Sequence, residues 1–193
     1  MCNSKPAFRF RHLLGTDAKP DQCYQDLRPS TAGSETNIIK CSSLFWAIPW
    51  AGAGGSVFVR KWDAVGRVEP MPHMLQGHKG EVLDIDFNPF APNVIATGSD
   101  DTTIKVWSVP AEGIAAPVTA SDYTLEGHQK KVTLVNWHPT ASNVLMSCSA
   151  DNTIKGASCS PASHITSHHT PASFSIVSHL TSHHIAPMHR YPS

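Results

Sequence analysis

The chain has 193 residues, with 15 basic and 15 acidic side chains. This length predicts one domain, and the balanced charge provides no strong attraction to nucleic acid or to a membrane surface. Five scattered cysteines without a C-x-x-C pair argue against a disulfide framework and a cysteine zinc site, as in a reducing cytosol. The N-terminus also lacks the apolar run of a signal peptide, so a cytoplasmic protein is expected.

The N-terminal segment, residues 1–30, mixes basic and aromatic residues. It reads FRFRHLLG at 8–15 and QCYQDLR at 22–28. Arg28 ends the second stretch, close to Asp21 and Asp26. From the residues alone, we expect Arg28 to form an exposed ion pair with one of these carboxylates, which contributes little to stability.

The most apolar stretch of the chain runs from residue 44 to residue 59. It is interrupted by Pro49 and is shorter than the ~20 residues that a membrane helix needs, so it predicts a pair of strands and no membrane span. Within it, residues 52–55 read GAGG. No Gly-Lys-Ser/Thr follows, and Val57 stands where a third dinucleotide glycine is needed, so we expect no nucleotide and no other cofactor.

A segment of about 30 residues then occurs twice, at 77–107 and 127–155. Both copies begin with Gly-His and carry an aspartate followed by Thr-Ile-Lys. In the first copy, β-branched and aromatic residues predict strands near 82–87, 94–96 and 103–107, a turn at 98–101 and a fourth strand at 123–125. Four short strands per period, with Gly-His at one end and Trp near the other, resemble the WD repeat of β-propellers.

The WD resemblance implies a hydrogen-bonded side-chain network inside each blade. In the first copy it consists of His78, Asp101, Trp107 and a hydroxyl from either Thr97 or Ser99. In the second copy it retains His128 and Asp151, while Ala157 replaces the tryptophan. A histidine, a hydroxyl and an aspartate also suggest a catalytic triad, but a nucleophile has no need of two copies. We therefore predict a structural role, with no catalytic residue and no metal site.

Several motifs in order, across residues 8–155, narrow the resemblance to coronins, the actin-binding WD-repeat proteins. Residues 31–53 depart from the family's pattern, being shorter and less regular. The motifs that carry the resemblance are the two N-terminal stretches above, the glycine-rich stretch at 54–59, LDID at 83–86, PAEG at 110–113 and WHPTA at 137–141. The fold expected is an all-β, incomplete WD-repeat β-propeller of about two to three blades over residues 31–155, followed by a disordered C-terminal tail.

The coronin resemblance implies a non-catalytic cytoskeletal scaffold that binds filamentous actin. Arg28 matches the arginine that coronins place on their actin-binding surface. The resemblance also implies the actin-branching Arp complex as a partner, through regions that this sequence does not contain, and a location in the actin-rich cortex. The alternative is a generic WD-repeat adaptor that binds other proteins and not actin.

The tail, residues 156–193, differs in composition from the rest of the chain. It holds seven of the twelve histidines and no acidic residue, so it is expected to be disordered and to bind metal only adventitiously. Because the change falls inside a predicted strand, our hypothesis is that these residues translate an unspliced intron or a frameshift. The chain is then expected to be a truncated propeller, inactive alone, since repeats cannot bury their faces without neighbours.

Overall fold

The computed structural model describes residues 19–32, 36–52 and 54–158. These residues form three antiparallel sheets that pack side by side as propeller blades, and one two-stranded parallel pair. No helix in this part of the chain is long and apolar enough to cross a membrane. The predicted all-β WD-repeat architecture is confirmed. The first N-terminal motif, at 8–15, and the tail from residue 159 lie outside the described residues.

Blades 1 and 2 each have four strands, and blade 3 has three within the described residues. Blade 1 consists of β2 (Lys40–Cys41), β3 (Phe45–Pro49), β4 (Ser56–Lys61) and β6 (Leu75–Gln76). Blade 2 consists of β7 (Val82–Phe87), β8 (Val94–Ser99), β9 (Ile104–Ser108) and β10 (Tyr123–Leu125). Blade 3 consists of β11 (Val132–Trp137), β12 (Val144–Ser149) and β13 (Ile154–Ser158). A 3-10 helix (Pro20–Gln22) leads into β1 (Tyr24–Gln25), which pairs in parallel with β5 (Gly66–Arg67).

The strand bounds confirm most of the sequence predictions and correct two of them. The fourth strand is found at 123–125, and the stretch 44–59 forms two strands. The predicted turn at 98–101 begins too early, because Gly98 and Ser99 are still paired with β7 in the ladder. The third strand begins at Ile104, so Thr103 belongs to the turn. The last strand, β13, pairs with β12 from Ile154 to Ser158, since backbone pairing does not depend on a tryptophan side chain.

Strand alternation gives blade 2 two buried faces, whereas in blade 3 one face is buried and the other carries exposed side chains. Ile85, Ile95 and Trp107 face blade 1 in one apolar cluster, and Ala96 and Val106 face blade 3 in another. Gly98 sits at the second contact, where an added Cβ would lie 2.9 Å from Val132 Cγ1 and 3.0 Å from Val135 Cγ1. Blade 3 therefore packs directly against the backbone of blade 2.

The described part of the N-terminal segment, residues 19–30, packs on the other face of blade 1. That face presents a cluster of buried side chains, against which Tyr24 and Leu27 pack. The Tyr24 ring lies 4.7 Å from the Trp46 ring, and its hydroxyl donates to the Trp62 carbonyl at 2.6 Å. The segment thus occupies the position against blade 1 that a neighbouring blade takes elsewhere.

Thr102 carries backbone strain that the second repeat avoids. Its φ is +70°, a left-handed conformation that a β-branched residue adopts at a cost, and the equivalent Asn152 has φ +62°. Thr102→Asn is expected to raise the free energy of unfolding by about 1 kcal/mol. The reciprocal Asn152→Thr is expected to lower it by a similar amount in urea unfolding. Equal stabilities for the three proteins would contradict this account.

Candidate functional site

A four-residue hydrogen-bonded chain lies inside blade 2. Trp107 Nε1 donates to Thr97 Oγ1 at 3.0 Å, Thr97 Oγ1 lies 2.7 Å from His78 Nε2, and His78 Nδ1 lies 3.0 Å from Asp101 Oδ2. One consistent arrangement has Thr97 donating to Nε2 while Nδ1–H donates to the carboxylate. The hydroxyl that the sequence left open is therefore Thr97. Ser99 instead donates to the Gly80 carbonyl at 3.1 Å.

Blade 3 repeats this arrangement without the tryptophan. His128 Nδ1 lies 3.0 Å from Asp151 Oδ2, and His128 Nε2 lies 2.9 Å from Ser147 Oγ. Ala157 pairs with Leu145 as Trp107 pairs with Ile95, so alanine occupies the tryptophan position. Ser147 Oγ is 3.3 Å from the Lys155 carbonyl and is paired without an indole donor.

Each network is closed to substrates. The side chains of His78 and His128 are 1% exposed, and Thr97 is fully buried. A hydroxyl held between an indole and an imidazole in the core cannot reach an external carbonyl group. The geometry and its recurrence give these residues a structural part in each blade.

The aspartates of the two networks accept more hydrogen bonds than the sequence suggested. Asp101 accepts from Thr103 Oγ1 at 2.6 Å and from the Lys79 amide at 2.9 Å, in addition to His78. Burial by itself would raise the pKa of Asp101, but the hydrogen bonds from His78, Thr103 and Lys79 outweigh it and hold the pKa well below its usual range. A hydrogen bond from Thr153 is the main cause of the same lowering of the pKa at Asp151, where burial opposes it.

Two further carboxylates, which the sequence analysis did not single out, connect the inner strands of the blades. Asp84 Oδ2 accepts from the Val135 amide at 2.9 Å, and Asp86 Oδ2 accepts from the Trp137 amide at 2.8 Å. Asp86 Oδ1 also lies 3.4 Å from Lys40 Nζ of blade 1. Asp86 thereby contacts all three blades. The available signal was the alternation of acidic residues in LDIDF, unusual for a strand predicted to be buried.

Arg28 lies at the rim of an open cleft of about 770 Å³ between the N-terminal segment and blade 1. The Ala51 amide donates to the Arg28 carbonyl at 2.8 Å, and Pro29 bridges to Trp50, so the backbone beneath the side chain is fixed. Asp26 is paired with Arg67 across the β1–β5 ladder. The cleft is lined by Asp26, Leu27, Arg28, Trp50, Arg67, Val68, Glu69 and Pro70.

The ion pair expected between Arg28 and either Asp26 or Asp21 is not found among the described residues. Within residues 19–32, 36–52 and 54–158, no salt bridge involves Arg28, and its side chain is exposed. The prediction failed because Arg67, 41 positions away from Asp26, is brought alongside it by strand pairing. Proximity in the sequence pointed to Arg28 as the partner of Asp26, but the partner is Arg67.

Comparison with known proteins identifies the N-terminal segment and the repeats. The family model described as a domain of unknown function (DUF1899) matches residues 6–67, and the WD domain, G-beta repeat, matches residues 70–108 and 120–155. The chain is 37% identical over 107 residues to the coronin-like protein crn1 of Schizosaccharomyces pombe, which covers 55% of this chain and 18% of that protein. The structure resembles the WD40 domain of Toxoplasma gondii coronin, with a TM-score of 0.62 and 30% identity over 70% of this chain and 35% of that one.

The chain belongs to the coronin family. The resemblance predicted from the sequence is thus confirmed. The predicted domain boundaries at residues 30 and 155, and the role of Arg28, stay predictions. This coronin-family chain spans about one fifth of the length of its yeast relative.

Asp101 is expected to stabilise blade 2 most strongly above pH 4. Its unfolded pKa is about 3.9, so below that pH the unfolded chain binds a proton that the folded chain does not, and stability falls with pH. Asp101→Asn replaces one carboxylate oxygen with an NH₂ that faces the donors of Thr103 at the Oδ1 position or those of Lys79 and His78 at the Oδ2 position, and it is expected to cost about 2–3 kcal/mol at pH 7. Asp100→Asn, the same change at the exposed neighbour, is the control. Urea unfolding at pH 7 and at pH 3.5 should show the cost shrinking at the lower pH, and an unchanged cost would contradict the linkage.

Asp84 is expected to give a pH dependence of the opposite sign. Burial raises its pKa to about 6, so between about pH 4 and pH 6 the folded chain keeps a proton that the unfolded chain loses. Stability should therefore fall by about 2–3 kcal/mol as the pH rises through this window. Asp84→Asn keeps an oxygen for the Val135 amide and removes the charge, so the variant should gain on the wild type between pH 4 and pH 7. A constant difference between the two proteins would refute the assignment.

Proposed function

We propose that this chain is a non-catalytic scaffold that binds filamentous actin, with Arg28 as a contact residue. Membership of the coronin family supports the class of partner, and the environment of Arg28 supports the residue. Contact with the actin-branching Arp complex and residence in the actin-rich cortex of the cytoplasm belong to the same proposal, as consequences expected in this family.

The observation that carries the proposal is a difference between two arginines. Arg67 forms an ion pair with Asp26, whereas Arg28 is exposed. Arg67 is engaged by Asp26, so the carboxylate nearest to Arg28 in sequence is already paired. Arg28 itself is exposed on a backbone anchored to blade 1. A planar guanidinium carries five donors in a fork that matches a carboxylate, so an arginine in this position suits an acidic protein surface such as that of actin.

The rest of the cleft is consistent with a protein partner. It is open and shallow, with an indole, a proline and charged groups of both signs along its walls. Trp and Arg are the residues most enriched among side chains that dominate protein–protein binding. Among the described residues that line the cleft, none carries a hydroxyl, a thiol or an imidazole.

The test is co-sedimentation with actin filaments. Arg28→Glu is expected to weaken binding at least tenfold, because it removes a charge-assisted contact and adds repulsion from an acidic filament. Lys131→Glu, on blade 3, makes the same change of charge at an exposed position remote from the cleft and is expected to weaken binding less than threefold.

Three results would overturn the proposal. Equal losses in the two variants would mean that only overall charge matters. Undiminished binding by Arg28→Glu would remove the cleft from the interface. If the wild-type chain does not sediment with filaments while remaining folded by circular dichroism, the alternative of a WD-repeat adaptor for other proteins takes its place.

A further inference from the structure

A small cavity lies between blades 2 and 3, at the end of the blades where β7 turns into β8. Its walls include Val94, Val106 and Tyr123 of blade 2 and Trp137 of blade 3. Its volume is about 250 Å³. Pockets for whole small molecules measure about 300–1,000 Å³, so this cavity suits a single long side chain of a partner.

Hydrogen bonds fix the walls of the cavity on both sides. Trp137 Nε1 donates to the Asp86 carbonyl at 3.2 Å, and the Trp137 amide donates to Asp86 Oδ2 at 2.8 Å, so the indole is anchored to the inner strand of blade 2. Across the cavity, the Asp122 amide donates to the Val106 carbonyl at 2.9 Å. The cavity is therefore formed before a ligand arrives, which lowers the entropy that is lost on binding.

The charge beside the cavity has one sign. Asp122 lines the cavity and is exposed to solvent. Among the described residues that line it, none is a lysine, an arginine or a histidine. No salt bridge within residues 19–32, 36–52 and 54–158 involves Asp122. A positively charged group that enters the cavity therefore meets a carboxylate and no competing base.

The combination of apolar walls, aromatic rings and one carboxylate favours an arginine over other side chains. An aliphatic side chain would fill the walls but take water away from Asp122 without pairing it. Lysine matches the charge as a compact ammonium group. Arginine has an apolar stem for the walls, a planar group that stacks on an aromatic ring, and two parallel donors for a carboxylate.

We propose that the cavity between blades 2 and 3 binds an arginine side chain of a partner protein. The guanidinium group pairs with the Asp122 carboxylate and lies against the Tyr123 ring. The aliphatic stem contacts Val94 and Val106, and Trp137 forms the wall on the side of blade 3. This inference is independent of actin binding, because the cleft beside Arg28 lies between the N-terminal segment and blade 1.

Nuclear magnetic resonance of the full chain, titrated with N-acetyl-arginine methylamide, tests the proposal. The indole N–H signal of Trp137 is expected to shift and to reach saturation. The citrulline analogue has nearly the same shape without the charge, and it is expected to bind about tenfold more weakly because the charge-assisted hydrogen bonds are lost. The norleucine analogue, which keeps only an apolar stem, is expected to bind at least as weakly as the citrulline analogue.

The matched variants are Asp122→Asn and Asp100→Asn. Asp122→Asn removes the charge at the cavity and is expected to weaken the arginine probe about tenfold while leaving the citrulline probe unchanged. Asp100→Asn makes the same change at an exposed position beyond the other end of β8, and it is expected to leave both affinities unchanged. The amide signals of β7 report whether the blades remain folded, and Asp122→Ser replaces the first variant if they do not.

The proposal is overturned by any of three results. The first is equal affinity for the arginine and citrulline probes, which would make the cavity an apolar pocket. The second is an equal loss of affinity in Asp122→Asn and Asp100→Asn, which would reduce the effect to overall charge. The third is the absence of any shift of the Trp137 signal in a folded chain.

Discussion

No blade of this protein covers both of its own faces, and the rest of the structure depends on that constraint. A four-stranded sheet is too small to bury its two apolar sides by itself, so each side must be covered by another element. Blade 2 meets this requirement twice, with Trp107 facing blade 1 and Val106 facing blade 3. Blade 1 meets it on one side through the N-terminal segment, whose Tyr24 packs on Trp46. The segment is therefore part of the core and also the carrier of the proposed site.

Burying polar groups between blades is tolerable only where each of them is paired. His78 satisfies both ring nitrogens through Thr97 and Asp101, and the carboxylate of Asp101 in turn fixes the turn that follows β8. Blade 3 shows which parts of this arrangement are indispensable. With Ala157 in place of the tryptophan the His128–Asp151 pair is still formed, and Ser147 keeps the imidazole and the Lys155 carbonyl as partners, the counterparts of those that Thr97 has in blade 2. Both blades contain the histidine–aspartate pair, whereas the tryptophan is present in blade 2 and replaced in blade 3.

The position of Arg28 follows from the same packing. The Tyr24 and Leu27 side chains anchor the N-terminal segment on blade 1, and the β1–β5 ladder places Arg67 beside Asp26. Arg28 is then left facing the cleft from a rigid backbone. Arg28 is thus available for binding because the neighbouring carboxylate, Asp26, is paired with Arg67. A fixed base for a long, flexible side chain lowers the entropy that is lost on binding.

The sequence by itself determined the class of fold, the family, and the residues of the blade networks, because these depend on a repeat that can be read along the chain. The period of 50 residues aligned His78 with His128 and placed Ala157 at the tryptophan position without any coordinates. Only the tertiary structure decided between Thr97 and Ser99, since both hydroxyls lie on the same face of β8 and differ only in which partner the neighbouring strand supplies. It also decided the partner of Asp26 and the contacts of Asp84 and Asp86, which join residues about 40 to 50 positions apart. Such pairs arise from the packing of one strand or blade on another, and no local pattern encodes which distant residue will arrive beside them.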